Sequence, residues 1–254
     1  MPSLLSRDDP ATWRVLHENG QSPFLLLCDH AGNQLPKRLG SLGLPDHELK
    51  RHIAWDIGVA GTARFMAETL DAFTILQTYS RLVIDCNRPS VAEDSITLLS
   101  EHTVIPGNQS LSQAEREARV DEIFVPYHAR IKFEIDRREA AQMPMVLIAL
   151  HSFTPVYKGV SRPWHIGMLY NRDNRVAKPM MEHLRKDGDL VVGDNEPYSV
   201  SDESDYTVPV HGERRGLLHV EIEVRQDLIA DEAGQKLWAD RLCHTLKCVW
   251  ADLA

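Results

Sequence analysis

The chain alternates between short apolar runs and longer segments in which apolar residues recur with helical spacing. The apolar runs are bounded by turn-forming residues and predict strands at residues 24–29, 73–78, 82–85, 145–150, 165–169, 190–192 and 218–224. Several are continuously apolar, as expected for a sheet covered on both faces. Helical spacing predicts helices at residues 46–70, 112–142, 175–186 and 233–253, the second opening with a capping box at Ser112 and Glu115.

This succession of elements predicts an α/β fold with a mixed, largely parallel central sheet flanked by helices. No repeat period and no Gly/Ser-rich or Pro-rich linker divides the 254 residues. We therefore expect residues 1–254 to form a single domain. The long polar segments 87–111 and 195–215 are predicted to be loops, and loops of that length inside a compact domain are usually functional or mobile.

Composition and charge exclude several classes of partner. The longest apolar runs have only about five residues, whereas a membrane-spanning helix needs roughly 20, so we expect no membrane partner. No secretory signal is predicted, because no apolar segment follows a basic stretch at the N-terminus. The net charge is −9 and no basic block occurs, which argues against nucleic acid as a partner.

The cysteines and the missing motifs narrow the choice further. Four cysteines form no CxxC pair, and Cys28 and Cys86 lie in apolar runs, so we predict buried thiols in a cytoplasmic protein. GxSxG, GxxxxGK[ST], GxGxxG and HExxH are absent, which argues against common serine hydrolases, P-loop enzymes, dinucleotide oxidoreductases and zincins. A functional site would then be assembled from separate strand ends.

Two of the twelve histidines directly follow predicted strands. His30 follows FLLLCD and His151 follows MVLIAL. Ligands in open α/β sheets collect outside the carboxyl ends of strands, so this pair predicts a site there. Two histidines suggest a metal, and a catalytic zinc usually adds a third ligand and keeps a position for water.

The third metal ligand has several candidates in the sequence. Asp56 is the first choice, because its apolar neighbours predict burial and a buried carboxylate needs a cation. We expect Asp56 to lie on the first helix, on the same face as His52. His52, Asn33 and Asp85 remain alternatives.

Charged and amide side chains border the predicted strand at residues 82–85. Arg81 precedes this run, and Asn87 and Arg88 follow it. An arginine together with an asparagine can grip a carboxylate through forked donors, so we predict a site for an anionic group.

The last predicted strand carries acids at alternate positions. Glu221, Glu223 and Arg225 share one face of this strand, because side chains alternate between faces. Acids within an apolar strand are costly unless paired or functional, and a carboxylate near a metal is a natural general base.

Seven segments together resemble the N-formylglutamate amidohydrolase family. They are CDHAGN, HIAWDIG, SRLVIDCNR, HSFTP, RPWHIG, NEPYS and IEVRQDLI, which occur in this order between about residues 22 and 240. The family is similar to zinc carboxypeptidases and to amidohydrolases that act on N-acyl aspartate or glutamate. The resemblance therefore implies a zinc carboxypeptidase-like α/β fold, one catalytic zinc and hydrolysis of an N-acyl amide.

The resemblance also implies roles for individual residues. His30 and His151 match the metal histidines, and Asn33 stands where the carboxypeptidase pattern has glutamate, which favours Asp56 as the remaining ligand. Glu223 resembles the general base. Arg81 resembles the arginine that polarises the scissile carbonyl, and the Asn87–Arg88 pair matches the residues that bind the substrate carboxylate.

We therefore expect a zinc-dependent amidohydrolase that acts on a small N-acyl amino acid, most simply N-formyl-L-glutamate in histidine degradation. Tyr198, Tyr206 and His211, in the second long polar segment, are predicted to close over the acyl group. Two other functions fit the same residues. Two histidines and an acid also describe a non-haem iron oxygenase, and a metal-stabilised protein that binds acidic amino acids without turnover is the third hypothesis.

Overall fold

A seven-stranded sheet runs through the centre of the molecule in the computed structural model, which describes residues 3–186 and 188–253. Its strands are β1 (Trp13–Leu16), β2 (Phe24–Cys28), β3 (Phe73–Gln77), β4 (Val146–Phe153), β5 (Ile166–Leu169), β6 (Val192–Asp194) and β7 (Leu218–Arg225). They lie in the order β1-β3-β2-β4-β7-β5-β6. The four central strands are parallel, whereas β1, β5 and β6 run in the opposite direction. The predicted mixed, largely parallel α/β sheet is confirmed.

Helices cover both faces of this sheet. They are α1 (Val59–Leu70), α2 (Gln113–Arg119), α3 (Val125–Ala140), α4 (Ala177–Lys186) and α5 (Glu232–Leu253), and one π-helical turn, Val120–Phe124, joins α2 to α3. Helices α1, α4 and α5 pack on one face, and α3 packs on the other. We call these the first and the second face. Two short hairpins lie outside the sheet, Leu99–Ser100 with Thr103–Val104 and Val156–Tyr157 with Val160–Ser161.

Side-chain alternation along β4 and β7 explains how polar groups reach the second face. Val220, Ile222 and Val224 belong to the apolar core of the first face. Glu221 and Glu223 therefore point towards the second face. In the parallel pairing of β7 with β4, Glu223 is directly opposite His151, so one acid of β7 is aligned with one histidine of β4.

The structure corrects the predicted strand at residues 82–85. Leu82, Val83 and Ile84 are fully buried in the core of the second face, but they form a turn and an irregular segment rather than a strand. Their backbone is held by loop hydrogen bonds such as Val83 N–H to Ser80 O at 2.9 Å. The run is apolar because it is buried, and burial alone does not distinguish a strand from a turn.

The predicted first helix is also too long at its start. The α-helix is only Val59–Leu70; Glu48–Lys50 forms a short 3-10 helix, and residues 51–58 form turns and bends. Gly58, which precedes the helix, has a positive φ of 85°, and a Cβ there would lie 2.1 Å from Ile229 O. Asp56 is therefore in a loop before α1, not on a helix face shared with His52. The edge strand β1 was not predicted, and the strand expected at residues 190–192 is Val192–Asp194.

The segment 195–215, predicted to be a loop, ends in a π-helical turn, Val208–Gly212, and a 3-10 turn, Glu213–Arg215. The predicted capping box and the buried thiols are confirmed. The capping box is present, with Glu115 N–H donating to Ser112 Oγ and Ser112 N–H donating to the Glu115 carboxylate. All four cysteines are free, and Cys28 and Cys86 are buried. Within the described residues, no helix combines the length and apolar character needed to span a membrane.

Candidate active site

A cavity of about 500 Å³ opens on the second face, at the carboxyl ends of the central parallel strands. Its floor is formed by residues at or near the ends of β2, β4 and β7, among them His30, His151 and Glu223. Its walls come from the two long polar segments that were predicted to be functional loops, with Asp94 and Glu101 from the first and Tyr198 and Asp205 from the second.

His30 is held at the floor by the tight turn that follows β2. A Cβ on Gly32 would lie 2.1 Å from Thr78 O, so only glycine lets the turn pass this close to the end of β3. His151 lies within β4 itself. The two imidazole rings meet edge to face with their centroids 4.9 Å apart, and both are almost fully buried, with 3% and 2% of their surfaces exposed.

Asp56 lies between the two histidines. Its Oδ2 is 2.9 Å from His151 Nδ1 and 3.5 Å from His30 Nδ1. The loop that carries Asp56 is fixed because Asp56 N–H donates to His30 O at 2.9 Å. The backbone N–H of Ser152 also donates to Asp56 Oδ2, at 3.2 Å.

The nitrogen and oxygen atoms of these three residues suit a metal ion. One ligand atom from each of His30, Asp56 and His151 lies within 4.8 Å of the others. Two imidazoles and a carboxylate are the donor set of many catalytic zinc sites. His30 Nδ1 is buried without a hydrogen-bond partner among residues 3–186 and 188–253, as expected of an atom whose natural partner is a cation.

Mutual attraction sets the charges of this cluster. Burial by itself would raise the pKa of Asp56, but His30 and His151 lower it below its ordinary value. Burial would likewise lower the pKa of both imidazoles, yet the neighbouring carboxylates raise it, Asp85 and Asp56 for His30 and Asp29 and Asp56 for His151. The site therefore concentrates negative charge around two nitrogens, which favours a bound cation.

Glu223 and Glu221 both face the cavity from β7. Burial and the nearby Asp56 carboxylate raise the pKa of Glu223 to about 8. Burial also raises the pKa of Glu221 well above its ordinary value. A cation bound beside His151 would lower the pKa of Glu223 again, because a metal is the largest local charge in such a site. Glu223 Oε2 is buried and has no hydrogen-bond partner among the described residues.

Both the nitrogen and the oxygen of the Asn87 side-chain amide are hydrogen-bonded. Its Nδ2 donates to Asp205 Oδ1 at 3.3 Å and to Glu221 Oε2 at 3.4 Å, and its Oδ1 accepts from Thr207 N–H at 3.0 Å. Asn87 thus ties the second long loop to β7 and orients two acids at the cavity wall.

The two arginines that border residues 82–85 both line the cavity. Arg81 donates through Nε and Nη2 to Asp85 Oδ2, at 3.1 and 2.5 Å, and its Nη1 is 3.6 Å from Asp56 Oδ1. Arg88 donates to Ser204 O at 3.0 Å and pairs with Asp94 at 3.1 Å. Both arginine side chains are partly exposed, at 28% and 30%, so they can face a ligand.

Of the three residues predicted to close over the acyl group, only Tyr198 lines the cavity, with its hydroxyl held by Arg162 Nη1 at 2.8 Å. Tyr206 and His211 lie behind the cavity wall instead. His211 Nε2 is 3.0 Å from His128 Nδ1, and the Tyr206 ring packs on the His128 ring. Sequence gave no sign of this, because polar residues in a loop do not reveal which of them pack inward.

The alternatives to Asp56 are occupied elsewhere. Asn33 Nδ2 donates to Leu49 O at 3.2 Å. His52 lines the cavity but faces Glu101 at 3.5 Å. Asp85 contacts His30 through the nitrogen remote from Asp56, at 2.6 Å. Asp29 and Asp205, which also surround the site, were missed, although Asp29 immediately precedes His30 at the end of a strand.

A mixed α/β sheet with a buried His–Asp–His set at its parallel strand ends is an arrangement suited to a metal-assisted hydrolase. A sequence profile described as N-formylglutamate amidohydrolase matches residues 22–230. The chain belongs to the N-formylglutamate amidohydrolase family, whose members hydrolyse amide bonds.

Two solved structures are similar over nearly the whole chain. The gene product Atu2144 from Agrobacterium tumefaciens is 36% identical, with a TM-score of 0.95, and the match covers 98% of this chain and 99% of that one. N-formylglutamate amidohydrolase from Ralstonia eutropha JMP134 is 16% identical, with a TM-score of 0.70 and coverages of 95% and 98%, and it shows the shared fold. No curated protein sequence matches the chain significantly.

Proposed function

We propose that this protein is a zinc-dependent amidohydrolase that cleaves the amide of an N-acyl amino acid, with N-formyl-L-glutamate as the first candidate substrate. The products of that reaction are formate and L-glutamate. The observation that carries the proposal is the position of Asp56 between His30 and His151, next to a β7 acid that is aligned with His151.

His30, Asp56 and His151 hold the metal in this proposal. A zinc ion bound there supplies a Lewis acid that polarises the substrate carbonyl and makes water acidic enough to attack near neutral pH. The buried, unpartnered His30 Nδ1 and the negative charge collected around both rings support this assignment.

Glu223 acts as the general base. It accepts a proton from the attacking water and then delivers it to the amine nitrogen as the amide C–N bond breaks. Its place opposite His151 and its unpartnered Oε2 support this role. Glu221 is held by Asn87 and keeps a positioning role at the wall.

The cavity arginines bind and polarise the substrate. Arg81 stabilises the negative charge that develops on the carbonyl oxygen, because its guanidinium faces the Asp56 side of the floor. Arg88 orients the substrate carboxylate. Its five N–H donors allow it to hold Ser204 and Asp94 and still address a ligand. Asn87 supports this wall through its bonds to Asp205 and Glu221, and Tyr198 covers the acyl group.

The test combines metal analysis with a panel of substrates. Purified protein is expected to contain about one zinc per chain, to lose turnover with a chelator and to recover it with Zn²⁺. The panel compares N-formyl, N-acetyl and N-succinyl forms of L-glutamate, and then N-formyl-L-glutamine, which matches the size of N-formyl-L-glutamate without its side-chain charge. Formate and amine release are measured separately.

Each alternative function has its own signature in this experiment. If turnover requires oxygen and iron, the protein is an oxygenase and not a hydrolase. Tight binding of N-formyl-L-glutamate without turnover in the zinc-loaded protein would indicate a binding protein. Faster turnover of N-acetyl or N-succinyl compounds would keep the amidohydrolase and change its acyl group.

A further inference from the structure

Asp85 contacts both the histidine His30 and the arginine Arg81 of the candidate active site. Its Oδ1 accepts a hydrogen bond from His30 Nε2 at 2.6 Å, and its Oδ2 accepts from Arg81 at 3.1 and 2.5 Å. The backbone N–H of Asn87 also donates to Oδ1, at 2.9 Å. Asp85 is 4% exposed, so this carboxylate is a buried junction between a histidine and an arginine.

The contact with His30 involves the ring nitrogen that faces away from Asp56. A carboxylate accepts hydrogen bonds, so Asp85 holds the proton of His30 on Nε2. In a neutral imidazole the other nitrogen, Nδ1, then carries the lone pair. Nδ1 is the atom that lies 3.5 Å from Asp56 and has no hydrogen-bond partner among the described residues.

We propose that Asp85 is a positioning residue that aims His30 Nδ1 at the metal and, with its second oxygen, fixes Arg81 relative to that metal. The inference rests on the proposed function for its catalytic consequence and on geometry alone for its effect on His30. Asp85 was an alternative metal ligand in the sequence analysis. In this proposal it does not bind the metal but holds His30, which does.

The second histidine shows what is special about Asp85. His151 also has a carboxylate behind it, since its Nε2 is 3.4 Å from Asp29 Oδ2 while its Nδ1 faces Asp56. The other oxygen of Asp29, however, accepts from the Thr207 hydroxyl at 2.9 Å rather than from an arginine. Both rings turn Nδ1 towards Asp56. His151 Nε2 has no hydrogen-bond partner among the described residues, whereas His30 Nε2 is held by Asp85, a carboxylate that also accepts from Arg81.

The first test uses the unaltered protein loaded with Zn²⁺ and labelled with ¹⁵N in its histidines. Two-bond ¹H–¹⁵N spectra report which ring nitrogen carries a proton. We expect His30 to show a protonated Nε2 and a metal-shifted Nδ1. A metal-bound Nε2 in His30 would overturn the proposal without any substitution.

The second test compares two isosteric substitutions. Asp85→Asn removes the charge behind His30, and we expect Zn²⁺ affinity, measured by competition with a chelator, to fall by about 10–100-fold. Asp94→Asn is the matched control, because Asp94 pairs with the neighbouring Arg88 and, among the described residues, has no hydrogen bond or ion pair with a histidine. We expect this control to keep the Zn²⁺ affinity of the unaltered protein. Equal affinities for Asp85→Asn and Asp94→Asn would overturn the proposal.

A third variant separates positioning from general damage to the fold. Arg81→Ala removes the second partner of Asp85 but leaves the hydrogen bond to His30. Zn²⁺ affinity should not weaken, because a positive charge near the metal has been removed. Weaker binding in Arg81→Ala to the same extent as in Asp85→Asn would show a merely structural role and contradict the proposal.

These measurements are independent of the substrate. If the protein binds Zn²⁺ with the expected dependence on Asp85 but turns over no N-acyl amino acid, the proposed function fails and the positioning role stands. If it hydrolyses such a substrate while Asp85→Asn keeps full Zn²⁺ affinity, the opposite holds.

Discussion

Two pairs of buried histidines lie on the second face of the sheet, and their surroundings differ. The His30 and His151 rings are 4.9 Å apart and are bordered by carboxylates. The His128 and His211 rings are 5.2 Å apart and stacked, and aromatic rings surround them, including Tyr206. The four side chains are buried to a similar degree, between 2% and 6% exposed.

The neighbours, not the burial, determine the charge of each pair. Burial lowers the pKa of His128 to about 4 and that of His211 to about 3. Carboxylates reverse this effect at His30 and His151, where the pKa is raised. The neutral pair is satisfied internally, because His211 Nε2–H can donate to His128 Nδ1 while His128 Nε2–H donates to Cys86 O. At His30 and His151 the carboxylates favour a positive charge, carried by the rings themselves or by a bound cation.

The largest expected effect comes from removing one ring of each pair. His151→Ala should reduce zinc content from about one equivalent to near zero and abolish most turnover, because the proposed zinc site loses one of its three ligands. His211→Ala should keep its zinc, because His211 pairs with His128 rather than with the cluster. Zinc is measured by mass spectrometry on both purified variants. Full zinc content in His151→Ala would contradict the difference drawn between the pairs.

The next largest effect is a loss of kcat that should distinguish Glu223 from Glu221, the two acids that face the cavity near His30 and His151. Glu223→Gln keeps the size of the side chain but cannot accept a proton, so kcat should fall by about 10²–10⁴ with zinc retained. Glu221→Gln should lose far less, since its contact with Asn87 can be made by an amide oxygen. Steady-state kinetics and zinc content are determined for both variants under the same conditions. A more severe loss in Glu221→Gln would reverse the assignment of the base.

A smaller effect concerns the aromatic-lined pair, His128 and His211, and is a loss of folding stability at low pH. The pKa of His128 is 6.5 when unperturbed and about 4 in the folded protein. Between these values the unfolded chain binds a proton at this ring that the folded protein does not, so stability falls as the pH is lowered through this window. Below about pH 4 the loss attributable to His128 amounts to about 3 kcal/mol.

Replacing the ring tests this prediction. His128→Gln should flatten the dependence of the free energy of unfolding on pH between 6.5 and about 4, measured by denaturant titration at each pH. His102→Gln is the matched control, because His102 is exposed, and it should leave the slope unchanged. An unchanged slope in His128→Gln would place the acid sensitivity elsewhere.

The fold was predictable where local pattern and burial agree. Continuous apolar runs gave the central strands, and helical spacing with a capping box gave the helix that starts after Ser112. The strand predicted at residues 82–85 was wrong, because a buried turn has the same apolar pattern as a strand. Asp56 was predicted to be buried, which is confirmed. It lies in a loop and not on the first helix, because that helix begins only after Gly58.

The site was predictable to the extent that chemistry lies at strand ends. His30 and His151 follow apolar runs, and the alternation in β7 put Glu223 on a polar face, so these residues could be chosen before their geometry was known. The roles of Asn87 and Asp85 could not, because a sequence does not show which hydrogen bonds a side chain has already made. His211 is the same case, since its partner His128 is 83 positions away.

The cavity is lined partly by residues at strand ends and partly by loops. We expect the strand ends to serve the proposed reaction and the loops to recognise the substrate. The residues assigned to the proposed reaction stand on or beside the ends of sheet strands, where hydrogen bonding between β4 and β7 fixes Glu223 opposite His151. Much of the remaining wall belongs to the two long loops and to the hairpin that carries Lys158. We therefore expect loop exchange between relatives to transfer substrate preference while the hydrolytic centre is retained, so that new amide substrates are reached by altering only what surrounds it.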